Sequence, residues 1–207
     1  MPPKPPASVP TTPPARRRPM RADARRNYER IVAIAEPLIA EQGADVSLEE
    51  VARVAGVGSA TLHRHFPSRQ ALLEAVFKGR VAVLCARADE FSAALPPADA
   101  LIVWLHALGA HAVANRGLGT SLLRGAQEAT GGDPAFGADC HTMITDAGQR
   151  LLDRAAATGT IRPEVTVVRL LTLVSALATA AEADPDGPAE TRQLLDLALA
   201  GIHTPGS

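Results

Sequence analysis

The sequence predicts an all-α protein of about nine helices, on the basis of three observations. Apolar residues make up 46% of the 207 residues but aromatic residues only 3%, so Ala, Leu and Val must form most of the core. Such a core suits closely packed helices better than sheets, which favour β-branched and aromatic residues. Apolar residues recur at helical spacing along most of the chain, and no segment indicates a convincing strand.

Length, cysteine content and hydropathy narrow the class of protein further. A chain of 207 residues can form one or two domains with a well-buried core. The longest uncharged runs, 100–115 and 170–181, are shorter than the roughly 20 apolar residues that span a bilayer. The chain begins with a Pro-rich stretch rather than a signal peptide, and two cysteines cannot build a disulfide framework. We therefore expect a cytoplasmic protein.

Charge is distributed unevenly along the chain. Residues 1–80 carry a net charge of +5 and residues 81–207 a net charge of −6. This asymmetry suggests a polyanion-binding module joined to a second part, although chance clustering can produce the same balance. Residues 1–20 hold 8 of the 17 prolines and are predicted to form a disordered or polyproline-like arm.

Seven arginines lie in this arm and just beyond it. They belong either to a solvated tail or to an arm that contacts DNA phosphates or a minor groove. The arginines are Arg16, Arg17, Arg18, Arg21, Arg25, Arg26 and Arg30.

The segment after the arm predicts a helix from about Ala22 to Gln42 that ends at Gly43. Its apolar stripe consists of Tyr28, Ile31, Ala35 and Leu38. Pro37 lies inside this helix and is expected to kink it or to remove a hydrogen bond.

Two short helices follow, separated by a tight turn. Ser47 as N-cap and Glu50 three residues later form a capping box for the first, which ends at Gly56. Its predicted buried stripe is Leu48, Val51, Ala52 and Ala55. The second helix is predicted over 59–65, with Leu62 and Phe66 buried and Pro67 as its stop. This arrangement is typical of a helix-turn-helix.

The exposed side of the second short helix favours DNA as its partner. Its outer positions hold small polar and cationic groups, and residues 51–70 contain no acidic side chain. The alternative is an ordinary helical hairpin within a bundle. The outer positions are Ser59, Ala60, Thr61, His63, Arg64 and His65.

A set of residues between Ile31 and Leu73 resembles the N-terminal domain of the TetR/AcrR family of bacterial transcriptional regulators. The residues that carry the resemblance are Ile31, Gly43, 47–52, 55–57, 61–69, Leu72 and Leu73. The likeness covers roughly residues 25–77. It implies a three-helix DNA-binding domain joined to a larger helical domain that binds a ligand and dimerises. Carried over position by position, the implied DNA contacts are Ser47, Ser59, Thr61, His63, His65 and Arg69.

The sequence departs from the family pattern in three places. His63 stands where the family usually has Tyr, Gly58 stands where a capping Ser is usual, and Pro37 interrupts the first helix. The first departure affects one phosphate contact. The second removes a side-chain cap, at a cost of a few tenths of a kcal/mol.

The second part of the chain is predicted to be entirely helical. Ser68 caps a helix from Arg69 to about Ser92, and Pro96-Pro97 opens the next. Further helices are predicted at 118–129, at 136–158, from Pro163 to about Ala183, and from Asp186-Gly187-Pro188 to about Ile202. The domains are therefore an arm (1–20), a helix-turn-helix domain (21–68) and a helical ligand-binding and dimerisation domain (69–207).

The last two long helices are apolar on more than one face, which predicts a homodimer through them. Trp104 is expected either in the core or in the wall of an apolar pocket. The residues predicted to line such a pocket are Leu84, Trp104, Leu108, His111, Leu122 and Met143.

Catalytic and metal sites are not indicated. His106 and His111 are five residues apart and Cys140-His141 are adjacent, so neither pair shares a helical face. We expect no metal, no cofactor and no enzyme activity. The predicted function is a dimeric repressor that binds a near-palindromic DNA operator and is released by a small molecule. The alternative is a helical ligand-binding or dimerisation protein without functional DNA binding.

Overall fold

The computed structural model describes residues 17–115, 136–181 and 186–202. Over these ranges the chain forms eight α-helices and no β-sheet, which confirms the predicted all-α class. Two 3₁₀ turns, Gly43–Asp45 and Ala200–Ile202, follow the first and last helices. The helices are α1 (Arg17–Gln42), α2 (Leu48–Ala55), α3 (Ser59–His65), α4 (Arg69–Ala94), α5 (Pro97–Ala114), α6 (Phe136–Ala156), α7 (Val167–Ala180) and α8 (Gly187–Leu199).

Two helix starts differ from their predicted positions. Helix α1 begins at Arg17 and continues through Pro37, so residues 17–20 of the predicted arm are helical. Helix α7 begins at Val167 rather than at Pro163, because the Thr166 hydroxyl caps it by accepting from the Arg169 N–H at 3.3 Å. Residues 1–16 and the helix predicted at 118–129 lie outside the described residues.

The buried side chains form two cores. The N-terminal core is built from α1, α2, α3 and the first half of α4, and Cys140 of α6 joins it. The C-terminal core is built from the second half of α4 and from α5 to α8. Two partly buried residues, Cys85 and Ile144, pack against both cores. Helix α4 therefore runs from one core into the other over 26 residues, about 39 Å.

Helix α5 is the central helix of the C-terminal core. It packs against α4, α6, α7 and α8. Among the described helices it is the one long and apolar enough to span a membrane by length and composition. Its apolar side chains Leu101, Trp104 and Leu105 are instead fully buried against the neighbouring helices.

Trp104 packs in the C-terminal core. Its side chain is fully buried and its Nε1–H donates to the Leu84 carbonyl at 3.1 Å. Gly148 of α6 leaves the space in which the indole ring packs. A Cβ at position 148 would lie 2.9 Å from the Val167 side chain and 3.0 Å from the Trp104 ring.

We expect Gly148→Ala to lower the free energy of unfolding by about 1–2 kcal/mol, because overpacking outweighs the gain in helix propensity. Gly79→Ala is the matched control, since Gly79 is also helical and a Cβ there meets nothing within 4 Å. That variant should gain about 0.5–1 kcal/mol. Urea unfolding followed by circular dichroism measures both. Equal stability of the two variants would contradict the packing described for Trp104.

Candidate nucleic-acid interface

Local signals in the sequence set the helix-turn-helix. The Ser47 hydroxyl accepts from the Glu50 N–H at 3.3 Å and so caps α2. Gly56 ends α2 in the left-handed conformation, with φ +63°, which glycine adopts without strain. The Glu50 carboxylate accepts from Gln42 Nε2 (3.1 Å), so it ties α2 to the end of α1. These contacts fix the turn that places α3 on the surface.

Helix α3 is held by its buried side. Leu62 and Phe66 are 1% and 2% exposed in the N-terminal core. The Tyr28 ring of α1 packs on Phe66, with 5.0 Å between ring centroids, and meets His65 edge-on at 6.3 Å. The predicted buried positions of α3 are therefore confirmed, and α1 supports the helix from behind.

The outer residues of α3 are not equally accessible. Ser59, Ala60, His63 and Arg64 are exposed. Thr61 is half-buried, and His65 is half-buried because it packs beside Tyr28 and Phe66. The accessible face of α3 is thus narrower than the outer face predicted from the sequence, and Arg64 is its strongest hydrogen-bond donor.

Both flanking residues predicted to contact DNA already have acidic partners. The Ser47 hydroxyl donates to Glu49 Oε2 at 2.9 Å, and Arg69 Nη1 lies 3.1 Å from Asp45 Oδ1. The pKa of Glu49 is lowered, first by its own backbone N–H and then by the Ser47 hydroxyl, with smaller attractions from His63 and Arg69. The stretch 51–70 lacks acidic residues, but the fold brings Glu49 and Asp45 to its edge.

A polar network joins the two cores, and its central residue, Arg80 of α4, was missed by sequence reasoning. The Arg80 guanidinium donates to the Glu36 carboxylate and carbonyl of α1, both at 3.2 Å, and to Asn115 Oδ1 at 2.6 Å. Asn115 Nδ2 donates to the His111 carbonyl at 2.8 Å and lies 3.2 Å from His111 Nδ1. The Arg80 network therefore connects α1 to the end of α5.

Burial lowers the pKa of His111 below its ordinary value of 6.5, and repulsion by Arg80 lowers it further. Between the lowered pKa and 6.5 the unfolded chain binds a proton at His111 that the folded chain does not. The stability that His111 contributes is therefore present above pH 6.5 and is lost as the pH falls through this window.

We expect the free energy of unfolding of His111→Gln to fall less between pH 7 and pH 5 than that of the unmodified chain. The matched control is His141→Gln, which replaces an exposed histidine of α6 and should keep the parent profile. Urea unfolding at a series of pH values measures the effect. Identical pH profiles for His111→Gln and the parent chain would refute it.

The other histidines and the cysteines are separated in space. His106 and His111 have different partners, since His106 Nε2 contacts Asp196 Oδ1 of α8 at 2.9 Å. Cys85 and Cys140 are free thiols, and burial raises the pKa of each. The described ranges contain no group of three or more His, Cys, Asp or Glu that could hold a metal ion.

Cavities lined by described residues lie beside α5. The α1–α4–α5 cavity has a volume of about 660 Å³, the α5–α6–α7 cavity about 750 Å³ and the α5–α8 cavity about 520 Å³. The described members of the predicted pocket wall do not meet in one of them. Leu84 and His111 line the first and Leu108 lines the second, whereas Met143 packs against the N-terminal core. Trp104 is in the C-terminal core, and Leu122 lies outside the described residues.

Comparisons with known proteins agree with this architecture. The family model described as "Bacterial regulatory proteins, tetR family" matches residues 31–76. The model described as "Transcriptional regulator SbtR-like, C-terminal domain" matches residues 96–204, more than half of the chain. The HTH-type transcriptional regulator SAR0097 of Staphylococcus aureus is 39% identical over 64 residues, 30% of this chain. That match covers only about a third (33%) of the curated relative.

Two solved structures are similar over nearly their full length. The TetR transcriptional regulator SCO0520 of Streptomyces coelicolor is 36% identical, with 86% of this chain and 99% of that chain covered and a TM-score of 0.69. A TetR transcription regulatory protein of Mycobacterium vanbaalenii is 30% identical, with 90% and 100% covered and a TM-score of 0.66. The chain, with its helix-turn-helix domain and helical C-terminal domain, therefore belongs to the TetR family of bacterial transcriptional regulators.

Proposed function

We propose that this regulator is a dimeric repressor that binds a near-palindromic operator and leaves it when a small molecule binds the C-terminal domain. The observation that carries the proposal is the exposed face of α3, which presents Ser59, Ala60, His63 and Arg64 while Leu62 and Phe66 anchor the opposite face. A short, well-anchored helix with small and cationic outer residues can enter a major groove.

The proposed base contacts follow from the chemistry of this face. Arg64 suits guanine O6 and N7, Ser59 can bond to several base edges, and Ala60 can contact a thymine methyl group. His63 extends the same face, while Thr61 and His65 contribute at its half-buried margins. Ser47 and Arg69 are proposed to contact phosphates. For this contact, the Arg69 guanidinium leaves the Asp45 carboxylate and binds a phosphate oxygen instead.

Binding to the DNA that flanks the regulator's own gene tests the proposal. Fluorescence anisotropy should give a dissociation constant of about 10⁻⁸ M or lower for the operator fragment, and about a thousandfold weaker binding to a shuffled fragment of equal length. Randomising one half-site should weaken binding, because a dimer then loses one of its two symmetric contacts. Equal affinity for flanking and shuffled DNA would overturn the proposal.

The proposed dimer forms through α7 and α8, which pack against each other. Leu197 of α8 is 76% exposed, the highest value among the exposed large apolar residues described. Leu173 and Leu177 of α7 and Leu194 of α8 are partly exposed on the same pair of helices. Together they supply an apolar surface that a second copy of the chain would bury.

We expect Leu197→Glu to shift the protein from dimer to monomer at micromolar concentration, because a carboxylate would then be buried in an apolar interface. Val83→Glu is the matched control, since Val83 of α4 is also apolar and 64% exposed but lies outside α7 and α8. Sedimentation equilibrium measures both variants. A parent chain that is monomeric at the same concentration would show that this surface does not mediate dimerisation.

The α5–α6–α7 cavity is proposed to hold the effector. Its lining is mainly apolar, and a few polar groups, His141, Thr172, Ser175 and Thr179, could orient a bound molecule. Leu108 of this cavity lies on α5 less than two turns before Asn115, which accepts from Arg80. A shift of α5 would therefore reach α1 through the Arg80 network and favour a different spacing of the two α3 helices.

We also propose that the protein acts by binding rather than by catalysis, and that it does so in the cytoplasm. The match to a family of bacterial regulatory proteins supports both proposals.

A further inference from the structure

Helix α1 begins well before the part of it that packs in the N-terminal core. It starts at Arg17, whereas Ile31 is its first side chain in that core. Residues 23–30, which precede Ile31, are exposed or half-buried. We call residues 17–30 the α1 extension, a helical segment about 21 Å long that leads away from the core.

Two exposed ion pairs stabilise the α1 extension as a helix. Arg25 Nε lies 2.7 Å from Glu29 Oε1, four residues later, and Arg26 is paired with Asp23, three residues earlier. Side-chain pairs at these spacings stabilise a helix that has no core contact. Exposed ion pairs are also weak, so another anion can replace a carboxylate at little cost.

The α1 extension is strongly cationic. It contains six arginines and two acidic residues, which gives a net charge of +4. The side chains of Arg25 and Arg26 are 81% and 67% exposed, so both guanidinium groups are accessible to a partner from solution. This charge favours a polyanion as the partner.

Tyr28 shows which side of the α1 extension is next to α3. Its ring packs on Phe66 and meets His65 edge-on, at the C-terminal end of α3. Positions three or four residues apart follow one another along one side of a helix, so positions 25, 24, 21 and 17 continue the row of Tyr28 toward the helix start. Three of these four positions are arginine, namely Arg17, Arg21 and Arg25.

We propose that this arginine row is a further DNA-binding surface, which contacts phosphates in the DNA that flanks each half-site. The inference rests on the operator binding proposed above for α3. The row begins beside the end of α3 and covers about 16 Å of helix, roughly five base pairs of B-DNA. For this contact the Arg25 guanidinium leaves the Glu29 carboxylate and binds a phosphate oxygen. Phosphate contacts carry no sequence information, so the row adds affinity and lengthens the bound DNA without reading a base.

Anisotropy titrations with two operator fragments test the proposal. The long fragment keeps about five base pairs of flanking DNA outside each half-site, and the short fragment ends at the half-sites. The parent protein should bind the long fragment about tenfold more tightly. Arg25→Gln should weaken binding to the long fragment about five- to tenfold and leave binding to the short fragment unchanged, because the lost contact lies in the flank. Changing the base sequence of the flank should not alter these affinities.

Arg30→Gln is the matched control on the same helix. Arg30 is also exposed, but it lies two residues after Tyr28, on the opposite side of α1, where it donates to Asn27 Oδ1 at 3.1 Å. This variant should change either affinity by less than about twofold. Arg25→Gln should also reduce the slope of log affinity against log salt by about two per dimer, one for each half-site.

The two proposals fail in different ways. Equal losses for Arg25→Gln on the long and short fragments, or equal losses for Arg25→Gln and Arg30→Gln, would overturn the arginine row as a DNA-binding surface. Equal affinity of the parent protein for both fragments, with shuffled DNA bound more weakly, would overturn the row and leave the function proposed for α3 in place. Equal affinity for operator and shuffled DNA would overturn both.

Discussion

Replacing Arg64 by alanine is expected to weaken operator binding by about 1–3 kcal/mol, roughly 5- to 150-fold, and to relax specificity at one base pair of each half-site. Arg64 is exposed on α3, one turn after Ala60 and on the face opposite Leu62. Its planar guanidinium carries donors in the geometry that matches guanine O6 and N7. Anisotropy titrations against operators with each base pair varied in turn measure both effects.

Arg150→Ala provides the matched control for this experiment. Arg150 is also an exposed arginine, but it lies on α6 and contacts Asp89 at 3.2 Å. The Arg150→Ala variant removes one positive charge, as Arg64→Ala does, but leaves the helix-turn-helix domain unchanged. If Arg150→Ala weakened operator binding as much as Arg64→Ala, the loss would reflect overall charge, and α3 would not be the surface that recognises bases.

Trp104→Ala is expected to have the largest effect on stability, a loss of about 3–5 kcal/mol. The indole is fully buried at the centre of the C-terminal core and its Nε1–H donates to the Leu84 carbonyl at 3.1 Å. Truncation leaves a cavity and removes the hydrogen bond between the indole and α4. Because Trp104 is the only tryptophan, urea unfolding must be followed by circular dichroism rather than by fluorescence.

Two variants separate the causes of that loss. Trp104→Phe keeps most of the buried ring but removes the N–H donor, so its cost should be smaller than that of Trp104→Ala. Val103→Ala, at a neighbouring position that is 38% exposed, should cost well under 2 kcal/mol. A Trp104→Ala protein as stable as Val103→Ala would mean that the indole is not a core residue.

The helix-turn-helix domain was predictable because its signals are local. Ser47, Gly56 and Pro67 each mark a helix end through contacts within a few residues, and α2 and α3 have the predicted bounds. The sequence predicts the start of α7 at Pro163, since proline favours the first turn of a helix. It lies at Val167 because the Arg162 N–H donates to the Ile202 carbonyl at 2.9 Å, a contact 40 residues away that holds this segment outside the helix.

The candidate pocket was less predictable for a similar reason. The spacing of Trp104 and Met143 indicates which side of a helix faces inward, but it does not reveal which helix is the neighbour. Trp104 packs in the C-terminal core and Met143 packs against the N-terminal core, so two side chains that the spacing predicts on one pocket wall lie in different cores. In the Arg80 network, Arg80 bonds to Glu36, 44 positions earlier, and to Asn115, 35 positions later. No local sequence pattern predicts contacts over such separations.

The passage of α4 through both cores limits how such regulators can exchange parts. The domain boundary predicted from the sequence follows residue 68, at the end of the helix-turn-helix. The N-terminal core, however, also needs four side chains of α4, namely Leu72, Leu73, Val76 and Val81. A recombination event that cut at residue 68 would therefore bring α1 to α3 onto a foreign α4 that does not fill their interior. The segment that gene fusion can transplant between relatives ends near the middle of α4, where the N-terminal core stops at Val81 and the C-terminal core starts at Leu84.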